Sequence, residues 1–502
     1  MRHRKTMIST LLFLATFSVG APAAEPEYKA DIPAALLTPD TVETDLLGTL
    51  EFVDGFPTKA TTENVYDFLD VSRASELFLN AMPATSMYAM LQGHVNIGVR
   101  PNYDVGLTEN LMDARSLWLT PQTTTPYVHG ELDVKNGPVV VEIGSPVLGI
   151  IDDAFFRYVS DVGLTGPDAG KGGKYLIVGP DYDGKIPDGY FEIRTSTYRH
   201  WLLLRLSVQD GDLKAAIDTF KAGFRMYPLA DANGKEQTKF INLSGLKYNT
   251  IHANDATYFD ELNAVIQYEP VGSYDAEILG LAAALGIRKG QAFEPDERMQ
   301  GLLEQGAAIG NAAARAILFR PRNKSVYFYP DRQWYSPLAG GSHEFLADGA
   351  RVLDDRVSFH YFATGITPSM VQPLVGKGSV YEIGATDSSG EPLDGGRTYS
   401  VTLPGPVPAA NFWSFMVYSS QTRSILETDQ KTGGLDSNAD GLIVEADGSA
   451  TVYFGPKPPE GLEANWIQTM PGKGYNVLLR LYGPLEPWFD RSWKPGDFEP
   501  MD

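Results

Sequence analysis

Polar side chains between Asn249 and Asp255 form a pattern that suits acid–base chemistry. His252 stands three residues before Asp255, at a turn that enters a predicted helix. A carboxylate can orient an imidazole and raise its pKa, so His252 and Asp255 are a candidate catalytic pair. Simple N-capping of the helix by Asn254 or Asp255 explains part of the pattern equally well.

A second polar group lies in the last part of the chain. In the predicted strand Tyr475 to Tyr482, alternation places Asn476, Arg480 and Tyr482 on one face, which could line a cavity. Arginine, tryptophan, tyrosine and asparagine in a water-poor pocket suit an anionic or sugar-like ligand. The candidate substrate-binding residues here are Arg480, Tyr482, Asn476, Trp466, Asn465, Trp413 and Arg423. The alternative is a buried arginine satisfied by backbone carbonyls, with aromatic rings that fill a core.

Two glycine-containing loops invite a ligand-binding interpretation. The stretch Gly163 to Lys174 resembles a phosphate loop, but its glycine spacing is wrong and neither lysine precedes Ser or Thr. It predicts an inter-strand loop in which Lys171 is a candidate substrate contact. The stretch Asp436 to Asp447 has the spacing of a calcium loop, with candidate ligands Asp436, Asn438, Asp440 and Asp447; a β-turn with solvated acids is the alternative.

Other common catalytic motifs are missing from the sequence. The chain has no cysteine, which excludes disulfides, thiolate metal sites and cysteine nucleophiles. It has no H-E-x-x-H and no G-x-S-x-G motif. These sequence patterns require no cofactor. Calcium is the one cofactor that a motif suggests.

The elements that position these residues follow from hydrophobic periodicity. Apolar residues recur at helical spacing from Thr62 to about Leu91, with a break at Pro83. Residues 24–94 are therefore predicted to form an N-terminal lead segment and a helix that packs on a helical domain. Short apolar runs between turn signals predict a β-sandwich over 95–209, a mainly α-helical domain with a connection over 210–369, and a jelly-roll-like β-sandwich over 370–502.

Composition and the first residues indicate where the protein works. Its 502 residues carry a formal net charge of −22, which disfavours nucleic acid as a partner. Residues 1–23 combine a basic start, an apolar stretch and Ala21-Pro22-Ala23, which is typical of a signal peptide cut after Ala23. No later apolar stretch is long enough to span a bilayer. A periplasmic or secreted protein is expected, and its oligomeric state is left open.

Several longer strings are similar to one bacterial family. They are Asn80 to Tyr88, Gly163 to Leu176, Tyr227 to Leu229, Asn249 to Asp255, Gly286 to Gly290, Asn411 to Ser414 and Gly455 to Pro484. They resemble the two-part family "domain of unknown function 1254 followed by domain of unknown function 1214". The resemblance implies an α+β multidomain fold with an N-terminal immunoglobulin-like β-sandwich, a central α-helical domain and a C-terminal jelly-roll, and it brings no established activity. At Pro121 to Tyr127 the chain departs from its relatives, which tend to carry Asn-x-x-Thr-x-Tyr.

Three classes of function fit these features. The first is an envelope enzyme, a hydrolase, that acts on a small polar or anionic substrate. The second is a periplasmic ligand-binding protein without turnover. The third is a structural or interaction module.

Overall fold

The computed structural model describes residues 27–208, 211–234, 236–338 and 341–501. The predicted signal peptide, residues 1–23, lies outside the described residues. The chain is a mixed α+β protein and divides into two compact units between Tyr66 and Asp67. The first unit contains a three-stranded antiparallel sheet of β1 (Thr41–Thr44), β2 (Gly48–Val53) and β3 (Phe56–Pro57), in that order.

Two consecutive helices, α1 (Lys59–Asn80) and α2 (Met82–Asn96), confirm the predicted helical stretch and its break. Pro83 lies in the first turn of α2, where a residue without a backbone N–H leaves no helical bond unmade. Leu77, Phe78 and Met82 are fully buried and belong to the core formed by the later helices.

The first β-rich region consists of two packed sheets. Its elements are β4 (Asp104–Leu107), β5 (Tyr127–Asp133), β6 (Val139–Ile143), β7 (Val147–Asp153), β8 (Tyr158–Gly163), β9 (Gly173–Val178), β10 (Phe191–Arg194), β11 (Arg199–Leu206), α3 (Leu213–Gly223), β12 (Arg225–Pro228) and β13 (Lys239–Asn242). The strand orders are β13-β4-β5-β11-β7-β8 and β10-β9-β6-β12. Val128 and Leu202 of the first sheet share one core with Val141 of the second.

These sheets continue past residue 209, where the sequence places the boundary of a helical domain. Strand β12 pairs with β6, so that Tyr227 lies opposite Val140. Strand β13 pairs in parallel with β4. Strands this short carry little periodic signal, and only pairing with distant strands stabilises them.

Helices dominate the next region, as the sequence predicts. It contains α4 (Thr257–Tyr268), α5 (Ala276–Ala284), α6 (Glu297–Phe319), the two-residue strands β14 (Leu346–Ala347) and β15 (Ala350–Arg351), α7 (Leu353–Phe362) and α8 (Pro368–Val371). Two aspartates cap these helices: Asp275 accepts from the backbone N–H of Glu277, and Asp296 from that of Met299. Gly286 adopts φ +93° just beyond α5.

The last region again stacks two sheets. Its elements are β16 (Ser379–Gly384), β17 (Thr398–Leu403), β18 (Ala409–Ser419), β19 (Gly434–Asp436), β20 (Ala450–Gly455), β21 (Trp466–Gln468), β22 (Tyr475–Pro484), α9 (Glu486–Phe489) and β23 (Glu499–Met501). The strand orders are β16-β22-β18-β19 and β21-β20-β17-β23. Phe415 and Leu479 of the first sheet share a core with Val401 of the second. Across the described residues, no helix is both long enough and apolar enough to cross a membrane.

The glycine-rich stretch that resembles a phosphate loop is an inter-strand loop. Asp168 is buried and accepts bonds from the Tyr175 hydroxyl, at 2.5 Å, and from the backbone N–H of Gly172. The Tyr175 hydroxyl in turn accepts from the N–H of Gly163. The loop is therefore closed by its own side chains.

Gly163 is a position where we expect a large loss of stability on substitution. Its φ is +78°, and an added Cβ would lie 2.0 Å from the carbonyl oxygen of Val147. Gly163→Ala should destabilise the fold by about 3 kcal/mol or more, through backbone strain and overpacking together. Gly189→Ala is the control, since Gly189 has φ +90° but nothing within 4 Å of the added Cβ. Thermal unfolding measures the loss of stability in both variants. Equal losses would contradict the expected clash at Gly163.

Candidate ligand-binding site

A cavity of about 80 Å³, partly open to solvent, is the candidate site. Its walls come from several separate stretches of chain, which include two pairs of strands and one helix. Strands β5 and β11 contribute Tyr127, His129, Trp201 and Arg205. Helix α7 contributes Phe359 and Phe362, and strands β16 and β22 contribute Tyr381, Leu478, Arg480 and Tyr482.

Strand β22 presents its polar face to this cavity. Leu478, Arg480 and Tyr482 line it, whereas Leu479 and Leu481 point the other way into the core between the two last sheets. The reason is the two-residue period of a strand, whose successive side chains point to opposite faces.

Arg480 is a buried cation with unused hydrogen-bonding capacity. It is 3% exposed. Its Nη2 donates to the Thr120 carbonyl oxygen at 3.2 Å and to the Tyr418 hydroxyl at 2.8 Å, while its Nη1 has no partner among the described residues. Burial lowers the pKa of Arg480. The surrounding tyrosines, Tyr418 above all, raise this pKa, and the net change is a rise. The guanidinium therefore stays charged, and one of its nitrogens is free for a ligand.

Arg205 is a second cation on the same cavity wall. Its guanidinium carbon lies 5.6 Å from the ring centre of Tyr127, its cross-strand neighbour on β5. Burial lowers the pKa of Arg205. The nearby tyrosines Tyr127, Tyr381 and Tyr482 raise this pKa, and the net change is a rise. Within the described ranges, neither Arg205 nor Arg480 forms an ion pair with a carboxylate. A buried arginine and a half-buried arginine without counter-ions suit an anionic ligand.

Another part of the cavity wall is aromatic. The His129 ring centre lies 4.4 Å from that of Trp118, 5.6 Å from that of Tyr127 and 5.8 Å from that of Trp201, which is parallel to it. His129 is 2% exposed. Burial and the nearby His94 hold its pKa well below the usual range, so the imidazole is neutral at pH 7. This part offers flat apolar surfaces and one neutral imidazole.

The predicted catalytic pair is not part of this cavity lining. His252 is buried against Phe78 and Tyr258, and its Nδ1 bonds to the Ala253 carbonyl oxygen at 2.8 Å. Burial, with a smaller contribution from a neighbouring arginine, lowers its pKa to about 3. Asp255 is exposed and accepts from the backbone N–H of Thr257, the first residue of α4. Their catalytic roles stay predictions.

Of the predicted substrate-binding residues, Arg480 and Tyr482 line the cavity and the others do not. Arg423 is 1% exposed, donates to the Tyr361 carbonyl oxygen and stacks 3.8 Å above the Tyr361 ring centre. Asn476 is fully buried, and its amide contacts the Tyr418 carbonyl oxygen at 3.5 Å.

The four remaining candidates have structural surroundings. Trp413 packs in the core between the last two sheets. The Trp466 indole N–H donates to the Gly455 carbonyl oxygen at 2.8 Å. The Asn465 amide bonds to backbone atoms of Ile443 and Thr451, which fixes the loop before β20. Lys171 is exposed in the closed glycine-rich loop.

The predicted calcium ligands lie in a surface loop after β19. Asp436 accepts from the backbone N–H of Asn438, and Asp447 accepts from that of Ser449, as in turns. Asn438, Asp440 and Asp447 are exposed. In the described part of the chain, no group of three or more histidines or acidic residues is arranged to hold a metal.

Calcium binding by this loop stays a prediction that chelation tests. If the four residues bind the cation, a chelator should lower the melting temperature, because binding to the folded state stabilises it. Asp440→Ala should remove the difference between chelated and calcium-loaded protein. Equal melting of the unmutated protein under both conditions would leave the turn interpretation.

Sequence reasoning missed Arg205, His129 and Trp201 as cavity residues. Trp201 stands in the apolar run that predicts β11, and Arg205 directly follows that run. A charge at the end of a strand that is otherwise apolar was the available signal. Pro121, Gln122 and Tyr127 also line the cavity.

Comparisons with known proteins agree with the sequence interpretation. Residues 103–228 match the model of a family of unknown function, DUF1254, and residues 378–486 match that of DUF1214, also of unknown function. The VPA0106 protein from Vibrio parahaemolyticus is 18% identical, with a TM-score of 0.52 over 86% of this chain and 100% of that chain, which shows a shared fold. A putative uncharacterized protein from Burkholderia cenocepacia is 13% identical, with a TM-score of 0.39 over 88% of this chain and 97% of that one. Among curated proteins, none matches.

Proposed function

We propose that the protein binds a small organic anion in this cavity. The chain carries DUF1254 followed by DUF1214 and so belongs to this two-part family. Both matched segments line the cavity. The observation that carries the proposal is the buried cation Arg480 beside a second, half-buried cation, Arg205, on the same cavity wall. An uncompensated buried charge costs the fold several kcal/mol, a cost that a bound anion would offset.

Binding without turnover is the function that the geometry supports best. The cavity lining contains neutral polar groups, two arginines and one neutral histidine, and no carboxylate among the described residues. A hydrolase needs a nucleophile or a base that activates water. The lowered pKa of His129 makes it a weak base.

A hydrolase that acts on the same anion is the second candidate. His129 favours it, because its two ring nitrogens are unpartnered among the described residues and it lines the same cavity as the cations. The test is product formation when the protein is incubated with carboxylic and phosphoric esters. Loss of turnover in His129→Phe would support this candidate, and unchanged turnover would contradict it.

The proposal also covers the type of each β-sandwich and the cellular location of the protein. The two stacked sheets of the first β-rich region support an immunoglobulin-like sandwich, and those of the last region support a jelly-roll-like one. Residues 1–23 support export to the periplasm or the medium as a mature chain that begins at Ala24. A soluble anion-binding protein of the cell envelope is the resulting function.

Native mass spectrometry of protein purified without added ligand tests the proposal. We expect a retained molecule of low mass that carries a carboxylate, phosphate or sulfonate group. It should be lost when the protein is dialysed at high salt, because screening weakens the attraction between the anion and the arginines. Retention of a neutral or cationic molecule alone would contradict the proposal.

A further inference from the structure

The cavity lining has a cationic part and an aromatic part. The Arg205 guanidinium carbon is 5.6 Å from the Tyr127 ring centre, and that ring centre is 5.6 Å from the ring centre of His129. Tyr127 is therefore close to both parts. A ligand in this cavity can carry one group for Arg205 and a different group for His129.

Polar atoms without partners are concentrated at the aromatic end. His129 Nδ1 and Nε2, His94 Nε2 and Trp201 Nε1 are all buried and have no hydrogen-bond partner among the described residues. The rings of His94 and Trp201 are both in contact with that of His129, at 5.2 Å and 5.8 Å between ring centres. Each unsatisfied buried group costs about 1–3 kcal/mol, so this cluster indicates a missing polar partner.

The neutral state of His129 decides which partner fits. A neutral imidazole presents one N–H donor and one acceptor nitrogen. A hydroxyl group can donate to the acceptor or accept from the N–H. A second anionic group would suit this end poorly, because only one of the two nitrogens is a donor and no cation lies among the four unpartnered groups.

We infer that the ligand is an arene that carries an anionic group, held by Arg205 and Arg480, and a ring hydroxyl, held by His129. This inference rests on the proposed function and adds the class of ligand. The cavity lining includes the indole rings of Trp118 and Trp201, and an aromatic lining suits an aromatic ligand. The chemistry is that of a hydroxyarene carboxylate.

Isothermal titration calorimetry with four probes tests the inference. The probes are 4-hydroxybenzoate, benzoate, cyclohexanecarboxylate and 4-hydroxybenzyl alcohol. We expect 4-hydroxybenzoate to bind about three- to tenfold more tightly than benzoate, the gain of one hydrogen bond. Cyclohexanecarboxylate should bind more weakly than benzoate, since it cannot stack, and the neutral alcohol should bind most weakly.

His129→Phe isolates the contribution of the hydroxyl. Phenylalanine keeps the ring contacts but removes both nitrogens, so the preference for 4-hydroxybenzoate over benzoate should disappear. His360→Phe is the matched control. His360 is also a buried histidine with an unpartnered Nδ1, but it does not line this cavity, so the preference should remain.

The outcomes separate this inference from the proposed function. Equal binding of 4-hydroxybenzoate and benzoate to the unmutated protein, or a preference that survives His129→Phe, overturns the inference and leaves anion binding intact. Tighter binding of cyclohexanecarboxylate than of benzoate also overturns it. If none of the three anions binds more tightly than the alcohol, the proposed function fails together with the inference.

Discussion

Arg480→Lys is expected to weaken the binding of an organic anion by about 1–3 kcal/mol, roughly five- to 150-fold in Kd. Lysine keeps the positive charge but loses the planar pair of N–H groups that can bind a carboxylate at two points. Arg205→Lys should have an effect of the same sign, because both cations face the cavity. Calorimetric titration with benzoate measures both variants.

Arg423→Lys is the matched control for this experiment. Arg423 is as deeply buried as Arg480, but it stacks on Tyr361 and does not line the cavity. We expect Arg423→Lys to lower the melting temperature and to leave benzoate binding unchanged. If Arg480→Lys behaves in the same way as this control, Arg480 is a core residue and the site assignment is wrong.

A steep loss of stability below about pH 4.5 is the second large effect that we expect. Burial lowers the pKa of three histidines to about 3; they are His94, His252 and His360. In the unfolded chain these imidazoles take up protons near pH 6.5, so the unfolded state binds more protons than the folded state below that pH. Their contribution to stability is therefore complete above pH 6.5 and is lost as the pH falls toward 3.

Buried glutamates have the opposite effect over part of this range. Burial raises the pKa of Glu131, Glu269 and Glu382 to about 7 and that of Glu261 to about 8. The folded state then binds more protons than the unfolded state between pH 4.5 and these values, so stability falls as the pH rises through this window. The two effects offset each other between pH 4.5 and 6.5, and we expect a stability plateau there.

His252→Gln separates the histidine contribution from the rest. Glutamine cannot be protonated, so the stability of the variant relative to the unmutated protein should rise by about 3 kcal/mol between pH 7 and pH 4. His343→Gln is the control, because water reaches the partly exposed His343 ring in the folded state. Urea unfolding at pH 7 and at pH 4 measures the stability of each variant relative to the unmutated protein. The same pH dependence in His252→Gln as in the unmutated protein would contradict the assignment.

Local features of the fold could be predicted from the sequence. The break at Pro83 and the two-residue alternation of β22 depend on residues close together in the chain. The same alternation places Arg480 and Tyr482 on one face. The family could also be recognised, since its strings are continuous in sequence.

What the tertiary structure decided is which distant residues share a cavity. Arg205, His129 and Arg480 come from strands in two different sheets, and nothing in their local sequence indicates that they face one another. The tertiary structure also placed Arg423 against Tyr361 and His252 against Phe78, away from the cavity lining, although both residues have suitable side chains. Local sequence sets strand and helix periodicity through backbone geometry. Burial and the pairing of unsatisfied groups depend on contacts between segments far apart in the chain, so only the folded protein determines which polar residues are left without partners at a cavity.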